Sequence, residues 1–211
     1  GAPAMTLFAK SVPYCDVPLK ERGHDPKKAA EILDAAGWKA GADGIRTKDG
    51  ARLVLDFYFN SNNAQEKTIA EAMQGDLAQI GINLDLSGMG DFATILPTLL
   101  SGTQEVGIGG PSNGAGNDPA SLLQQMGPLS DNVLMRAQDD TLADLFNQGA
   151  AERDQAKRTE IYHEYQQYMY DNYYFIPLYQ DTKNYGVAEA HASFTNALDS
   201  SNQLDPTLLT D

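Results

Sequence analysis

The chain contains few residues whose type and spacing could support covalent chemistry. Cys15 is its single cysteine, and its three histidines, His24, His163 and His191, have no recognisable motif around them. A thiol needs a neighbouring base to act as a nucleophile, and one cysteine can form neither an internal disulfide nor a thiolate metal cluster. We therefore expect neither a metal site nor a cofactor.

One pentapeptide has the letters of a hydrolase nucleophile elbow. Residues 110–114 read G-x-S-x-G after a predicted strand, which would make Ser112 the nucleophile of an α/β hydrolase. An elbow turns directly into a helix, whereas Gly116, Asp118 and Pro119 delay the next helix here. No Asp–His pair can be assigned to Ser112 by pattern. We therefore favour a protein without catalytic activity. The alternative is an α/β enzyme fragment in which Ser112 is the nucleophile.

Polar side chains in two predicted loops could instead bind a small solute. The segment from 109 to 117 is rich in glycine, has no periodicity and follows a predicted strand. In open α/β sheets, ligands bind in the loops beyond the carboxyl ends of the strands. Asn113 and Asn117 each offer an acceptor and two donors there, and Asp131 in the loop 127–132 could pair with a cationic group.

Each candidate also has a purely structural interpretation. The two asparagines could satisfy backbone groups of their own loop, and Asp131 could simply be solvated. Tyr179 and Thr182, at and beyond the end of the last clear strand, are weaker candidates for which packing is the simpler role. Asp118 stands before Pro119 at a predicted helix start, which favours an N-cap.

The loops need a sheet and helices to position them, and the clearest pattern lies between 52 and 86. Residues 53–59 are rich in β-branched and aromatic types, residues 65–80 carry apolar side chains at helical spacing, and residues 82–86 alternate. Gly81 fits the end of the helix. Two strands joined by such a helix are parallel. The fold class is therefore predicted as α/β, with a mixed, mainly parallel sheet flanked by helices.

The remaining pattern adds further elements on both sides of this unit. Residues 1–24 are expected to form an extended, partly buried lead-in. Residues 39–50 and 87–90 are expected to be turns and loops. The tyrosines of the helix predicted over 154–172 are expected to lie in the core or at a half-buried surface. The other helices are predicted over 26–36, 91–100, from 118 onwards, 141–149 and 154–172, and the other strands over 104–108, 174–179 and 185–188.

Composition restricts the classes of partner. The 211 residues are 42% hydrophobic, with a formal net charge of −14, which disfavours nucleic acid and anionic membranes because both attract basic surfaces. No apolar run approaches the roughly 20 residues that span a bilayer. The start of the chain lacks the pattern of a signal peptide. We expect the chain to be part of a longer precursor.

Four segments, taken together in order and spacing, resemble a known family, and two more resemble its nickel-type members. The resemblance is to the C-terminal lobe of the solute-binding proteins of ABC importers, in the peptide- and nickel-binding family, and it covers nearly the whole chain. The four family segments are D-P-x-K-A with I-L-x-x-A-G-W at 25–38, I-A-E-x-x-Q-x-D-L-x-x-I-G-I at 69–82, the predicted strand and glycine-rich loop before Asp118-Pro119, and R-x-x-x-Y with I-P-L at 158–178. The two segments that resemble nickel-type members are 7–14 and 43–50.

The resemblance implies a single periplasmic-binding-protein-like lobe over 1–211, with the lead-in, a core over 25–190 and a tail over 191–211. It implies a non-enzymatic, extracytoplasmic protein, either periplasmic or extracellular and membrane-anchored. Such a protein captures nickel, a metal chelate or a short peptide and delivers it to a membrane permease. The missing N-terminal lobe would complete the pocket. An independent interaction module, seen as a stable dimer, is a third hypothesis.

The resemblance also points to pocket positions. Asn113 and Asn117 stand where nickel-type binders carry aromatic residues, and Asp131 stands near their histidine. Ala115 stands where dipeptide binders pair an aspartate with the peptide amine. The predicted ligand-binding residues are therefore Asn113, Asn117, Asp131 and Tyr179.

Overall fold

The computed structural model describes residues 2–4, 6–8, 12–90, 92–101, 106–107, 118–126 and 139–180. The helices and strands in these ranges are β1 (Ala2–Pro3), α1 (Pro26–Ala35), β2 (Lys39–Ala40), β3 (Arg46–Lys48), β4 (Ala51–Arg52), β5 (Val54–Asn60), α2 (Ala64–Gln79), β6 (Asn83–Met89), α3 (Phe92–Ser101), β7 (Val106–Gly107), α4 (Pro119–Met126), α5 (Asp140–Ala151), α6 (Gln155–Asp171) and β8 (Tyr179–Gln180).

The chain divides into two compact units. Arg22–Gly110 forms one, which we call the sheet unit, and Gly1–Glu21 with Pro111–Asp211 forms the other, which we call the helical unit. The sheet unit holds α1 to α3 and β2 to β7, and the helical unit holds β1, α4 to α6 and β8. The assignment of the whole chain to one lobe stays a prediction.

A parallel sheet in the order β6-β5-β7 is the centre of the sheet unit. β5 pairs in parallel with β6 from Val54↔Asn83 to Asn60↔Met89, and with β7 at Phe57↔Val106. The helix α2 connects β5 to β6 and packs on both strands, burying Ala70 against Phe57. The predicted parallel strand–helix–strand unit and the α/β class are confirmed.

The start of α2 is fixed by reciprocal side-chain contacts. Asn63 accepts hydrogen bonds from the backbone N–H groups of Gln65 and Glu66, at 3.0 and 3.4 Å. Glu66 in turn accepts from the side-chain amide of Asn63 at 3.0 Å and from the N–H of Asn60 at 2.8 Å. This reciprocity resembles a capping box, and it ties the end of β5 to the first turn of the helix.

Arg46 holds the carboxyl ends of two helices in the sheet unit. Its Nε donates to the carbonyl of Ile80 at 2.6 Å, and its Nη1 donates to the carbonyl of Trp38 at 2.7 Å and to Asp34 Oδ1 at 2.6 Å. Gly81 lies against this arginine with φ +85°, and a Cβ built there would be 2.7 Å from the Arg46 Cγ. Only glycine combines this backbone with this contact.

The helical unit has its core where α5 and α6 pack on each other and on the start of the chain. Gly149 permits the close approach of the two helices, because a Cβ there would lie 2.8 Å from the Tyr162 ring. The predicted core role of the tyrosines is confirmed, while the extended, partly buried lead-in over 1–24 stays a prediction, since residues 1, 5 and 9–11 lie outside the described residues. The buried members of this core are Phe8, Val12, Cys15, Leu123, Leu142, Leu145, Tyr162, Tyr165 and Met169.

Three predictions in the sheet unit are corrected. Residues 87–89 were expected in a loop but extend β6, because they pair with the end of β5. Ala29, Ile32, Leu33 and Ala36 stand at helical spacing and predict an apolar face for the helix over 26–36, but Ile32 is 59% exposed and no residue of α1 is buried. Residues 39–52 contain an antiparallel sheet of β2, β3 and β4 as well as the expected turn, where Asp49 and Gly50 both have positive φ, as the primed hairpin turns require.

Two predictions in the helical unit also differ. Residues 174–178 are not a strand, because only Tyr179 and Gln180 pair with β1, in antiparallel register. Tyr173 has a left-handed φ of 59°, and Pro177 has no N–H to donate, so neither favours a continuous ladder. Helical spacing puts Asn172 on one face with Ile161, Tyr165 and Tyr168, but it is exposed at the C-cap of α6.

We predict opposite effects for the same substitution at two glycines of the sheet unit. Gly81→Ala should destabilise the chain by about 1–3 kcal/mol, because alanine resists the left-handed backbone and its Cβ displaces Arg46. Gly75→Ala should stabilise it by about 0.5–1 kcal/mol, because Gly75 is inside α2 and a Cβ there has no atom within 4 Å. Urea unfolding followed by circular dichroism measures both. Equal effects at the two sites would contradict the role of Gly81.

Candidate functional site

The described residues include one of the four predicted ligand-binding residues. Asn113, Asn117 and Asp131 lie outside them, as does Ser112, so their roles stay predictions. Tyr179 is half-buried in β8, where it is opposite Pro3 in the pairing with β1. The structure therefore describes the framework that joins the predicted loops.

Asp118 is the first residue after the glycine-rich segment whose placement is described. Its Oδ1 accepts from the N–H of Ala120 at 2.8 Å, and Pro119 follows it at the first position of α4, where proline is favoured. The predicted N-cap is confirmed. The same carboxylate also forms an ion pair with Arg158, which the sequence did not predict.

Arg158 joins three parts of the helical unit through one guanidinium group. Its Nε donates to the carbonyl of Gly149 in the last turn of α5 at 2.9 Å. Its Nη2 contacts both oxygens of Asp118, at 3.1 and 3.0 Å, and the hydroxyl of Tyr162 at 3.4 Å. The arginine side chain is 17% exposed and that of Asp118 is 37% exposed, so water screens the pair only in part.

Two tyrosine rings pack around this guanidinium group. The Arg158 Cζ lies 5.0 Å from the centroid of Tyr14 and 5.5 Å from that of Tyr162, within the range of a cation–π contact. The two rings stack with centroids 6.2 Å apart. Tyr14 has a positive φ of 66°, so the lead-in adopts an uncommon conformation where it meets the arginine. The cluster fixes the plane of the guanidinium group.

Asp139 is the counterpart of Asp118 at the end of the segment that carries Asp131. It caps α5 by accepting from the N–H of Leu142 at 3.1 Å. Its Oδ2 also accepts from the hydroxyls of Tyr174 at 2.5 Å and Tyr168 at 3.1 Å. The Tyr174 hydrogen bond is the main reason why the pKa of Asp139 is lowered, and it raises the pKa of Tyr174 to about 12.

Cys15 does not have the environment of a nucleophile. Its side chain is fully buried, and burial, helped by the charge of Asp118, raises the pKa of the thiol to about 12. The neutral thiol is thus the stable form, whereas a reactive cysteine needs a stabilised thiolate. Cys15 contributes to the core, and its carbonyl accepts from the Gln166 amide at 3.3 Å.

Neither a metal cluster nor a membrane span is found in the described part of the chain. None of its histidine, cysteine and acidic side chains form a group of three or more that could hold a metal ion. None of its helices combines the length and the apolar character that a bilayer crossing requires.

Comparison with known proteins identifies the family. Residues 1–132, more than half of the chain, match the model of the bacterial extracellular solute-binding proteins, family 5 middle region. The chain belongs to this family. Its members are substrate-binding proteins rather than enzymes, and the resemblance inferred from the short sequence segments is confirmed.

Individual proteins and solved structures are also similar to this chain. The nickel-binding periplasmic protein of Escherichia coli K12 is 45% identical over 87 residues, which is 40% of this chain. The structure of NikA from Brucella suis in complex with Fe(III)-EDTA aligns over 84% of this chain with a TM-score of 0.73 and 30% identity. The oligopeptide-binding protein of Thermus thermophilus, complexed with a pentapeptide, has the same fold, with a TM-score of 0.68 and 21% identity.

The chain is short beside these family members. It spans 16% of the length of the E. coli protein and 36% of the Brucella chain. The alignments agree with the predicted α/β fold of periplasmic binding proteins.

We predict that the Tyr174–Asp139 contact stabilises the helical unit in a defined pH range. The folded pKa of Asp139 is lowered, so its contribution is present above the ordinary carboxyl pKa of about 4 and is lost as the pH falls through the folded value. The folded pKa of Tyr174 is raised to about 12, so its contribution is present below the ordinary phenol pKa of about 10 and is lost as the pH rises further.

Tyr174→Phe should therefore lower stability between about pH 4 and 10 and bring the pKa of Asp139 back towards its ordinary value. Carbon-13 NMR titration of the Asp139 carboxyl measures that pKa, and thermal unfolding across pH measures stability. Tyr168→Phe is the matched control, with a smaller expected shift because its bond is 3.1 Å rather than 2.5 Å. An unchanged Asp139 pKa in Tyr174→Phe would refute the assignment.

Proposed function

We propose that this chain is part of the extracytoplasmic solute-binding component of an ABC importer. The observation that carries the proposal is the family match over residues 1–132, together with a fold shared with NikA over 84% of the chain. A protein of this kind binds a small solute and hands it to a membrane permease without chemical change. The buried, neutral Cys15 is compatible with such a role.

We propose nickel in chelated form, or a short peptide, as the solute. The relative with 45% identity is named for nickel binding, and the related structures contain Fe(III)-EDTA or a pentapeptide. Chelates such as EDTA carry carboxylate oxygens, to which an asparagine amide can donate, and a peptide also offers an amine and amide N–H groups, from which asparagine and aspartate oxygens can accept. Asn113, Asn117, Asp131 and Tyr179 remain the proposed ligand-binding residues.

We further propose that the chain is the C-terminal lobe of a longer protein. The chain spans 36% of the Brucella NikA chain, which leaves room for a second lobe. A solute enclosed from both sides buries most of its surface, whereas one lobe alone gives it only half of a pocket. The chain alone should therefore bind weakly. Attachment to the outer face of a membrane, as in a lipoprotein, belongs to the same proposal.

The hydrolase hypothesis gains no support from the comparisons. The relatives described above are solute-binding proteins, and no base can be assigned to Ser112. Solute binding is therefore the function that we propose.

We predict that the full-length protein binds the nickel–L-histidine complex or a pentapeptide in calorimetry. Asn113→Ala, Asn117→Ala and Asp131→Ala should each weaken binding by about tenfold, as expected when a polar ligand contact worth about 1.4 kcal/mol is removed. Asn172→Ala is the matched control, because this asparagine is exposed at the end of α6 and outside the predicted loops. The affinity of the Asn172→Ala variant for the probe should equal that of the unmodified protein. Failure to bind either probe would reject the proposed solutes.

A further inference from the structure

The strand order of the sheet unit reverses at β5. The chain passes from β5 through α2 to β6 on one side, and then through α3 to β7 on the other side of β5. Both neighbours run parallel to β5. In open α/β sheets, ligands bind outside the carboxyl ends of the strands where the order reverses in this way. The turn that follows β5, residues 60–63, is therefore a place where a solute contact is expected.

The end of β6 holds this turn in place. Ser61 donates from its N–H and from its hydroxyl to the carbonyl of Met89, at 2.7 and 3.1 Å, and the side-chain amide of Asn62 donates to the carbonyl of Gly90. The Asn62 N–H donates to the side chain of Asn60 at 2.9 Å. These contacts order the turn before any solute binds, which lowers the entropy lost on binding.

Two side chains of the turn keep free acceptor sites. Within the described residues, the exposed Oδ1 of Asn62 accepts no hydrogen bond. Glu66, in the first turn of α2, is half-buried and accepts one bond at each oxygen, from the Asn60 N–H at 2.8 Å and the Asn63 amide at 3.0 Å. A carboxylate has about four acceptor sites, so two remain open.

The charge at this turn favours a positive donor group. The segments 53–66 and 82–91, which hold β5, β6 and the turn, contain neither lysine nor arginine. Among the described residues, no basic side chain forms an ion pair with Glu66. The Asn63 side chain already accepts from the Gln65 and Glu66 N–H groups of α2. The turn therefore offers acceptors and a negative charge, rather than an anion site.

We propose that this turn binds the amine group of the solute, with Glu66 and Asn62 as the acceptors. A peptide offers a protonated α-amine, and the nickel–L-histidine complex offers the N–H groups of a coordinated α-amine, so both proposed solutes share this chemistry. A hydrogen bond to a carboxylate is about twice as strong as one between neutral groups, so Glu66 contributes more than Asn62. This inference rests on the proposed solute-binding function.

The test compares whichever probe the full-length protein binds with a form of that probe whose amine is blocked. The blocked forms are the N-acetylated pentapeptide and the nickel complex of Nα,Nα-dimethyl-L-histidine, which has no amine hydrogen to donate. Glu66→Gln should raise the dissociation constant of the unblocked probe about tenfold, the effect of losing one charge-assisted contact. It should change that of the blocked probe by less than about twofold. Asn62→Ala should show the same difference with a smaller increase, about threefold.

Asp76→Asn is the matched control. Asp76 is exposed in the second half of α2, ten residues after Glu66 and about 15 Å further along the helix axis. Its substitution removes the same charge from the same helix, and the dissociation constants of both forms of the probe should stay within about twofold of the unmodified protein. Glutamine at position 66 keeps an oxygen for the helix start, as in a capping box. The comparison thus separates a local contact from the effect of net charge.

Each alternative outcome has a distinct meaning. Equal weakening of the blocked and unblocked probes by Glu66→Gln would overturn the amine contact, because it would show that Glu66 only stabilises the turn. An unchanged dissociation constant for the unblocked probe would also overturn it and leave solute binding intact. If Glu66→Gln does not fold, Asn62→Ala carries the same comparison, because the N-cap of α2 is Asn63. Binding of neither probe by the unmodified protein overturns the proposed function, and the amine contact with it.

Discussion

The structure of each unit depends on an arginine that binds the carbonyl end of a helix to which it does not belong. The last carbonyls of a helix have no partner within it, and they carry the negative end of the helix dipole. α1, α2 and α5 have no basic residue in their last turns. Arg46 satisfies this need at the end of α2 and also binds the Trp38 carbonyl just beyond α1, and Arg158 satisfies it at the end of α5. In both cases an aspartate completes the set of acceptors.

This arrangement explains why two glycines stand beside the arginines' contacts. Gly81 gives the chain room to turn against Arg46, and Gly149 lets α5 approach the tyrosine that touches Arg158. Glycine lowers the intrinsic stability of a helix, by about 1 kcal/mol relative to alanine. At Gly149 this cost is offset by the close packing of α5 on α6, which a larger side chain would prevent.

Local sequence patterns predicted the elements well because each depends on residues close in the chain. The Asp118 cap and the Gly81 helix end were readable, since their partners are at most a few residues away, and the alternation of β6 was readable from its own residues. The ion pair of Asp118 joins residues 40 positions apart. No periodicity encodes such a pair. The R-x-x-x-Y spacing did place Arg158 and Tyr162 on one side of a helix, which was the available signal.

The burial of whole elements was less readable than their type. The apolar spacing in α1 indicated a helix correctly, but it did not indicate that Ile32 is mostly exposed, because depth depends on what covers the helix. Likewise, the apolar segment 174–178 has the composition of a strand, yet a ladder needs a partner strand, and within the described residues β1 pairs with Tyr179 and Gln180 alone. The predicted site loops stay predictions, and the structure added the contacts of Asp118 and Asp139, the residues that follow these segments in the chain.

The residues that reveal the family are largely those that build its scaffold. Asp25 caps α1, Gly81 turns the chain against Arg46, and Asp118 pairs with Arg158. Any protein with this fold needs such caps and turns, whatever solute it binds. A likeness carried by these positions therefore supports the fold and the mode of binding much more strongly than the solute. The related structures agree, since one holds a metal chelate and another a pentapeptide on the same fold. We therefore propose that discrimination among solutes depends on residues other than these scaffold positions, such as Asn113, Asn117 and Asp131.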